Sequence, residues 1–278
     1  MDLKHKHWAL IFIGILVASF IILAAWYTLG SKKALAPTGE TATSTPQATA
    51  TSTAPAGPNH ITEHAAYYDI DLTYPSATPL ASVSADANAK AVATMKSAMT
   101  DTSAQFKTDG NFANLTQEDI EMQHLGERKY ALSSEYKTYT GTRTVSYVFT
   151  IYEDTLGAHP NAYFRTFTFD TQTGAELALS DLFQPSSQYL ERLSARTRAD
   201  LPAITAQKSG GDVGSDADFI QDGTKPEEAS FQNFYIDGKN LVIVFPPYQV
   251  GPYALGTVED PIPLAQLQDM LNPTYLPS

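Results

Sequence analysis

Residues 157–183, GAHPNAYFRTFTFDTQTGAELALSDLF, decide how this chain folds. The segment opens with a turn, Gly157-Ala158-His159-Pro160-Asn161. Tyr163, Arg165, Phe167 and Phe169 then alternate with Phe164, Thr166 and Thr168, which is the two-residue period of a β-strand. Asp170-Thr171-Gln172-Thr173-Gly174 follows, with the residue types that start and close a tight turn. Residues 175–179 read as a short return strand, and Ser180-Asp181-Leu182-Phe183 as a helical turn. The segment therefore predicts a β-hairpin feeding a helical turn.

Outward from this hairpin, further periodic segments appear. Residues 66–74 place Tyr68, Ile70 and Leu72 on one face and Tyr67, Asp69, Asp71 and Thr73 on the other, a half-buried strand that Pro75 ends. Ser84 is a good N-cap. Behind it Ala87, Ala91, Met95, Ala98, Met99, Thr102 and Phe106 recur at helical spacing, predicting a helix to about Lys107. This Met and Phe stripe reads as core packing. Residues 116–124 suggest a short acidic helix. Residues 129–139 and 142–152 read as two strands around Thr140-Gly141, and 187–201 as an amphipathic helix. Residues 207–228 read as a long polar loop. Residues 231–236 and 240–245 form a hairpin around Asp237-Gly238-Lys239, and 264–271 a closing helix. Strands and helices mix without regular alternation, so the expected class is α+β, an antiparallel sheet with helices packed on it.

The chain has 278 residues, no cysteine and a net charge of −12. A thiol nucleophile, a cysteine-held zinc, an iron–sulfur cluster and a disulfide framework are all excluded. The first sixty residues carry Lys4, Lys6, Lys32 and Lys33 against Asp2 and Glu40, which leaves −14 on the rest. An acidic body repels nucleic acid and attracts basic partners. It also serves plain solubility.

The amino-terminal region reads differently. Residues 1–7 are a short basic tip. Residues 8–29, WALIFIGILVASFIILAAWYTL, are apolar throughout and as a helix would rise about 33 Å, enough for a hydrocarbon core of about 30 Å. Trp8 and Trp26-Tyr27 fit the aromatic belts of a bilayer. The run is longer than a signal-peptide core, and Pro37 disfavours cleavage after Ala34-Leu35-Ala36, so a retained single-pass anchor is expected. Residues 30–60, rich in Thr, Ser, Ala and Pro, read as a disordered stalk. These features predict a cytoplasmic amino terminus in the cell membrane and residues 31–278 on the extracytoplasmic side. Residues 61–140 and 141–278 are the expected amino- and carboxy-terminal parts of the folded body.

Gly157-Ala158-His159-Pro160, Phe169-Asp170, Thr173-Gly174 and Leu179-Ser180-Asp181-Leu182-Phe183 together resemble the extracellular domain of RsiV-type anti-sigma factors and the non-catalytic domains of PdaC-type peptidoglycan deacetylases. Phe231-Gln232-Asn233-Phe234, Phe245-Pro246-Pro247-Tyr248-Gln249-Val250-Gly251-Pro252-Tyr253-Ala254 and Ile262-Pro263-Leu264 are similar to the end of the same family's domain. The resemblance covers roughly residues 65–272. It implies a membrane-anchored binding or sensing domain whose partner is a cell-wall component such as peptidoglycan, or a basic protein such as lysozyme. It carries no catalytic residues over. With only residues 1–7 ahead of the expected anchor, no sigma-binding segment is expected, and no deacetylase domain is expected after Ser278. The alternative is a small wall-polysaccharide hydrolase or a deacetylase-associated enzyme.

Chemistry-bearing patterns are sparse. His60 and His64 have the spacing of a helical metal pair but precede a strand, with only Glu63 between, so no metal site is expected. Thr168-Phe169-Asp170 lacks the second aspartate of a deacetylase motif, and Asp170 reads as a turn residue. Carboxylate pairs such as Glu118 with Glu121 or Glu153 with Asp154 suggest no assignable acid–base role. No Gly-x-Ser-x-Gly elbow occurs, and Gly210-Gly211 sits in an acidic loop, the wrong sign for phosphate. No catalytic residue and no cofactor are expected. His159, Tyr248 and Tyr253 remain as ligand-binding candidates: an imidazole beside a turn, and two tyrosines fit for an aromatic platform. Their alternative role is packing and turn geometry.

Overall fold

The computed structural model describes residues 57–211 and 217–276. The expected tip, the anchor over residues 8–29 and the stalk up to residue 56 lie outside them. Among the described residues no helix is long and apolar enough to cross a membrane.

The chain enters with β1, Asn59–His64, which pairs antiparallel with β2, Tyr68–Tyr74. The strand thus begins where the stalk was expected to continue to residue 60. β2 buries Ile70, Leu72 and Tyr74. The long helix α1, Ala85–Asp109, starts at Ser84, whose hydroxyl accepts the Ala87 amide at 2.9 Å. Its buried face carries all seven residues of the helical stripe read from the sequence. A capped turn, α2 (Gln117–Met122), follows, with Thr116 and Asp119 bonding reciprocally.

α1 and α2 bring the chain back across the sheet, so β3, Tyr130–Thr140, lies parallel to β2, with Tyr68 opposite Tyr130. The sheet is mixed, which corrects the expectation of a purely antiparallel one. The long helical connection after Pro75 is the reason: a parallel neighbour needs a crossover, not a hairpin. β4, Thr144–Asp154, and β5, Asn161–Asp170, then add by antiparallel pairing, giving a five-stranded sheet in the order β1-β2-β3-β4-β5. The turn at residues 141–143 joins two neighbouring strands of this sheet, so the sheet runs across the expected boundary at 140/141. The return strand expected at 175–179 is reduced to one bridge, Phe169 to Glu176. The chain turns off at Ala178, whose amide donates to Asp181 at 2.8 Å and starts a helical turn, Leu179–Leu182.

α3, Tyr189–Ser209, continues past Pro202, where the sequence pattern had ended. Leu193, Thr197, Leu201 and Thr205 are buried along its length, and that packing outweighs the roughly 3 kcal/mol cost of an interior proline. The region read as a polar loop contains the end of α3 and α4, Ala217–Gly223, which buries Ile220. β6 (Phe234–Asp237), β7 (Asn240–Phe245) and β8 (Val258–Pro263) form a separate antiparallel sheet, β6-β7-β8. The expected closing helix shortens to a turn, Leu264–Gln266.

The four layers follow from alternation. Ile70, Leu72, Leu132, Phe149 and Ile151 face α1 from the five-stranded sheet. Val148 on its other face meets Tyr235, Val242 and Val244 of the second sheet. Ile236, Leu241, Ile243 and Phe245 then turn away from that contact into the core with Leu193 and Leu201 of α3. A strand presents its two faces at every second residue, so each inner strand serves two cores at once.

Candidate functional site

The second sheet covers only part of the five-stranded sheet's outer face. Where the cover stops, a cleft of about 510 Å³ remains. Its floor comes from alternate residues of three strands: Glu135, Lys137 and Tyr139 of β3, Val148, Thr150 and Tyr152 of β4, and Ala162 and Phe164 of β5. The register that sets Glu135 opposite Thr150, and Thr150 opposite Phe164, brings them together. Its far wall is Ile204 and Lys208 of α3 with Glu259 of β8 and Thr257 just before that strand.

The chemistry of this cleft is that of a polar, aromatic-lined groove. Tyr152, 42% exposed, donates its hydroxyl to Glu135 at 3.1 Å. Burial and then the Glu135 carboxylate hold its phenol above the ordinary range, so it stays neutral and able to donate. Tyr139 lies tilted against Tyr235, with centroids 4.2 Å and planes 31° apart, at one end of the floor. Among the described residues Lys137, Lys208 and Glu259 enter no ion pair. Two carboxylates and two ammonium groups therefore face a space that a ligand can occupy.

The three candidates from the sequence come together beside the β5 end of this cleft. His159 stacks on Tyr253, with centroids 3.8 Å apart and planes 19° apart. Tyr248 lies against Tyr253 at 5.5 Å. Tyr253 donates its hydroxyl to the Pro160 carbonyl, and His159 Nδ1 lies 3.2 Å from the same oxygen. Pro160 sits two residues before Ala162 of the cleft floor, and Tyr253 four residues before Thr257 of its wall. Tyr248 is 58% exposed and has a φ of 72°, a left-handed conformation that costs a non-glycine residue on the order of 1 kcal/mol.

The remaining sequence candidates fall elsewhere. His60 bonds Asp71 and His64 bonds Asp69, each at 2.9 Å, across the β1–β2 pair. Among the described residues no group of three or more His, Cys, Asp or Glu is placed to hold a metal ion. Asp170 is buried beneath the turn it begins. It accepts the Gln172 and Thr173 amides and pairs with Arg143 at 2.7 Å. Glu135, Tyr152 and Glu259, which line the cleft, are not among the candidates from the sequence. Their only signal was the polar face of strands whose other face is apolar, and that pattern does not distinguish open solvent from a cleft.

Comparison with known proteins places part of this arrangement. Residues 180–265 match DUF3298, a family described as a protein of unknown function. The DUF3298 segment supplies the cleft's far wall, while the floor comes from strands that precede it. The peptidoglycan-N-acetylmuramic acid deacetylase PdaC of Bacillus subtilis (strain 168) is 30% identical over 159 residues, which is 57% of this chain and 32% of that protein. The chain thus spans about a third of that relative's length. Two solved DUF3298 family structures are also similar. One, from Pseudomonas aeruginosa PAO1, has a TM-score of 0.48 at 15% identity and covers 81% of this chain and 98% of its own. The other, from Bacteroides fragilis NCTC 9343, has a TM-score of 0.47 at 19% identity and covers 78% and 93%. The expected PdaC-type resemblance is met.

Proposed function

We propose that this protein is a recognition module for cell-wall glycan, held outside the cytoplasmic membrane by residues 8–29 with the following residues as its stalk. The observation that carries the reading is the cleft. Sugars are bound where flat aromatic rings lie beside fixed acceptors and donors. Tyr152, Glu135, Thr150 and Phe164 on the floor, with Glu259 on the far wall, supply that set. The relation to a peptidoglycan deacetylase supports the choice of polymer. His159, Tyr253 and Tyr248 extend the aromatic surface beyond the cleft's end.

Titration of the full chain with soluble muropeptides tests this. Saturable binding that weakens about tenfold in Tyr152→Ala and Glu135→Gln, with thermal stability held, is the expected result. The absence of binding to muropeptides and to N-acetylglucosamine oligomers would remove the reading. Lysozyme is a separate arm of the titration. A net charge of −12 attracts a basic protein, and binding to lysozyme alone would move the partner from glycan to protein.

A second reading has one observation in its favour: Glu135 on the floor and Glu259 on the far wall line the same cleft, and paired carboxylates are the equipment of glycoside hydrolysis. Release of reducing ends from peptidoglycan that disappears in both Glu135→Gln and Glu259→Gln would replace recognition by hydrolysis.

A further inference from the structure

The outer edge of β5 is closed at both ends and open in the middle. At one end Leu177 donates to the Thr168 carbonyl at 2.8 Å, and the Asp170 amide donates to Ala175 at 2.8 Å. Residues 175–177 thus act as a short sixth strand, antiparallel to β5. At the other end Tyr253 donates its hydroxyl to the Pro160 carbonyl. In an antiparallel strand the amide and carbonyl of one residue point to the same side, and the side changes at each residue. Since Thr168 and Asp170 bond outward, Ala162, Phe164 and Thr166 also point their backbone groups outward. Among the described residues no backbone group bonds theirs from that side. Edge strands are normally blunted by proline, charge or cover. Here the span from residue 160 to 168, roughly 27 Å long, is left unpaired between two closures.

A groove runs along this opening. One part, of about 460 Å³, lies beside Tyr163, Arg165 and Phe167 with Gln232 and Asn233. The next, of about 260 Å³, lies beside Glu176, Leu177 and Glu228, and the two share Thr166 and Gln232. Glu176 and Glu228 enter no ion pair among the described residues. The groove is therefore negative near residues 175–177 and positive at Arg165.

We infer that this edge is a docking site for an extended peptide of a partner protein, which adds to β5 as an antiparallel strand with a basic amino-terminal end. The direction is that of residues 175–177, whose line the peptide continues. The two glutamates take its basic end, and Arg165 disfavours the reverse orientation. Main-chain bonding gives the affinity and the groove gives the preference. This site adjoins the glycan cleft, whose floor carries the Ala162 and Phe164 side chains, but it uses backbone groups that the cleft reading does not.

The probe is an acetylated, amidated octapeptide, Lys-Lys followed by three Val-Thr pairs, titrated into the full chain by calorimetry. The expected result is saturable binding, about fivefold tighter than for the same peptide with its lysines at the carboxy-terminal end. N-methylation of alternate valine and threonine amides, one set at a time, is expected to weaken binding about tenfold for one set and less than about twofold for the other. Ala162→Pro, which removes one outward amide, is expected to weaken it about fivefold. If that variant unfolds, the N-methyl pattern decides, since it needs no change in the protein. Equal loss from both methylated sets overturns the inference, as does absence of binding. A chain dimer that Ala162→Pro dissociates, with no peptide binding, would make a second copy the occupant and also overturn it.

Discussion

Asp170 and Asp260 are both buried aspartates, and their surroundings drive them in opposite directions. Burial alone would raise Asp170. The Arg143 guanidinium, the Thr173 and Gln172 amides and the Tyr275 hydroxyl outweigh it and hold the carboxyl below its ordinary value. A group with a depressed folded pKa contributes stability above the unfolded value of about 3.9 and loses it as pH falls through the folded value. Asp170→Ala leaves Arg143 without its partner and opens the turn. A loss of about 3 kcal/mol at pH 7 is expected in urea denaturation. Asp260 is buried with Oδ2 unbonded among the described residues, and burial first, then Asp200, pushes it up to about 7, against the pull of Arg196. Here the folded state holds a proton that the unfolded state releases near pH 3.9. Stability therefore falls as pH rises from about 4 to about 7 and is level above. Asp260→Asn removes that slope. It is expected to gain roughly 2 kcal/mol on the wild type between pH 5 and pH 8, read from denaturation curves at both. From sequence, Asp170 was legible as a turn residue because the Gln172 and Thr173 amides it accepts lie two and three positions on. Asp260 was not, because Asp200 and Arg196 reach it only across the α3–β8 packing.

At the scale of the element, α1 was the most legible part of the chain. One N-cap and one apolar stripe define it, and both are local. The β5 turn was legible for the same reason, and its glycine adds a tertiary demand. Gly174 has a φ of 72°, and a Cβ there would lie 2.3 Å from the Ala87 side chain at the start of α1. Gly174→Ala is therefore expected to cost more than about 2 kcal/mol, from the left-handed conformation and the clash together. A drop in melting temperature several degrees larger than for Gly157→Ala, where a Cβ meets only Thr155 Oγ1 at 3.9 Å, would show it. β8 was not legible. Pro261 and Pro263 interrupt its pattern, and proline is tolerated there because β8 is an edge strand. The run of α3 through Pro202 was hidden for a related reason: local propensity argued for a stop, and the core beneath it decided otherwise.

The whole molecule depends on how two sheets meet. Ser146 accepts the Ile236 amide at 3.1 Å and shares a hydrogen bond with Thr168 at 2.9 Å, all within the buried layer between the sheets. Ser146→Ala leaves the Ile236 amide buried without a partner. The expected cost is about 1–3 kcal/mol, with faster hydrogen exchange at Ile236 than at its neighbours in β6. Equal exchange rates before and after the substitution would mean that the sheets are not held there. The sequence by itself determined the α+β class, the strands with clean alternation, the α1 core face and the acidic body. These depend on periods of two or 3.6 residues and on composition, which short stretches carry whole. Only the tertiary structure decided the parallel β2–β3 pair, the stacking of two sheets, and the cleft between Glu135 and Glu259. Those relations join residues from 62 positions apart, Tyr68 with Tyr130, to 124 apart, Glu135 with Glu259, and a strand's polar face reads the same whether water, a second sheet or a ligand lies over it.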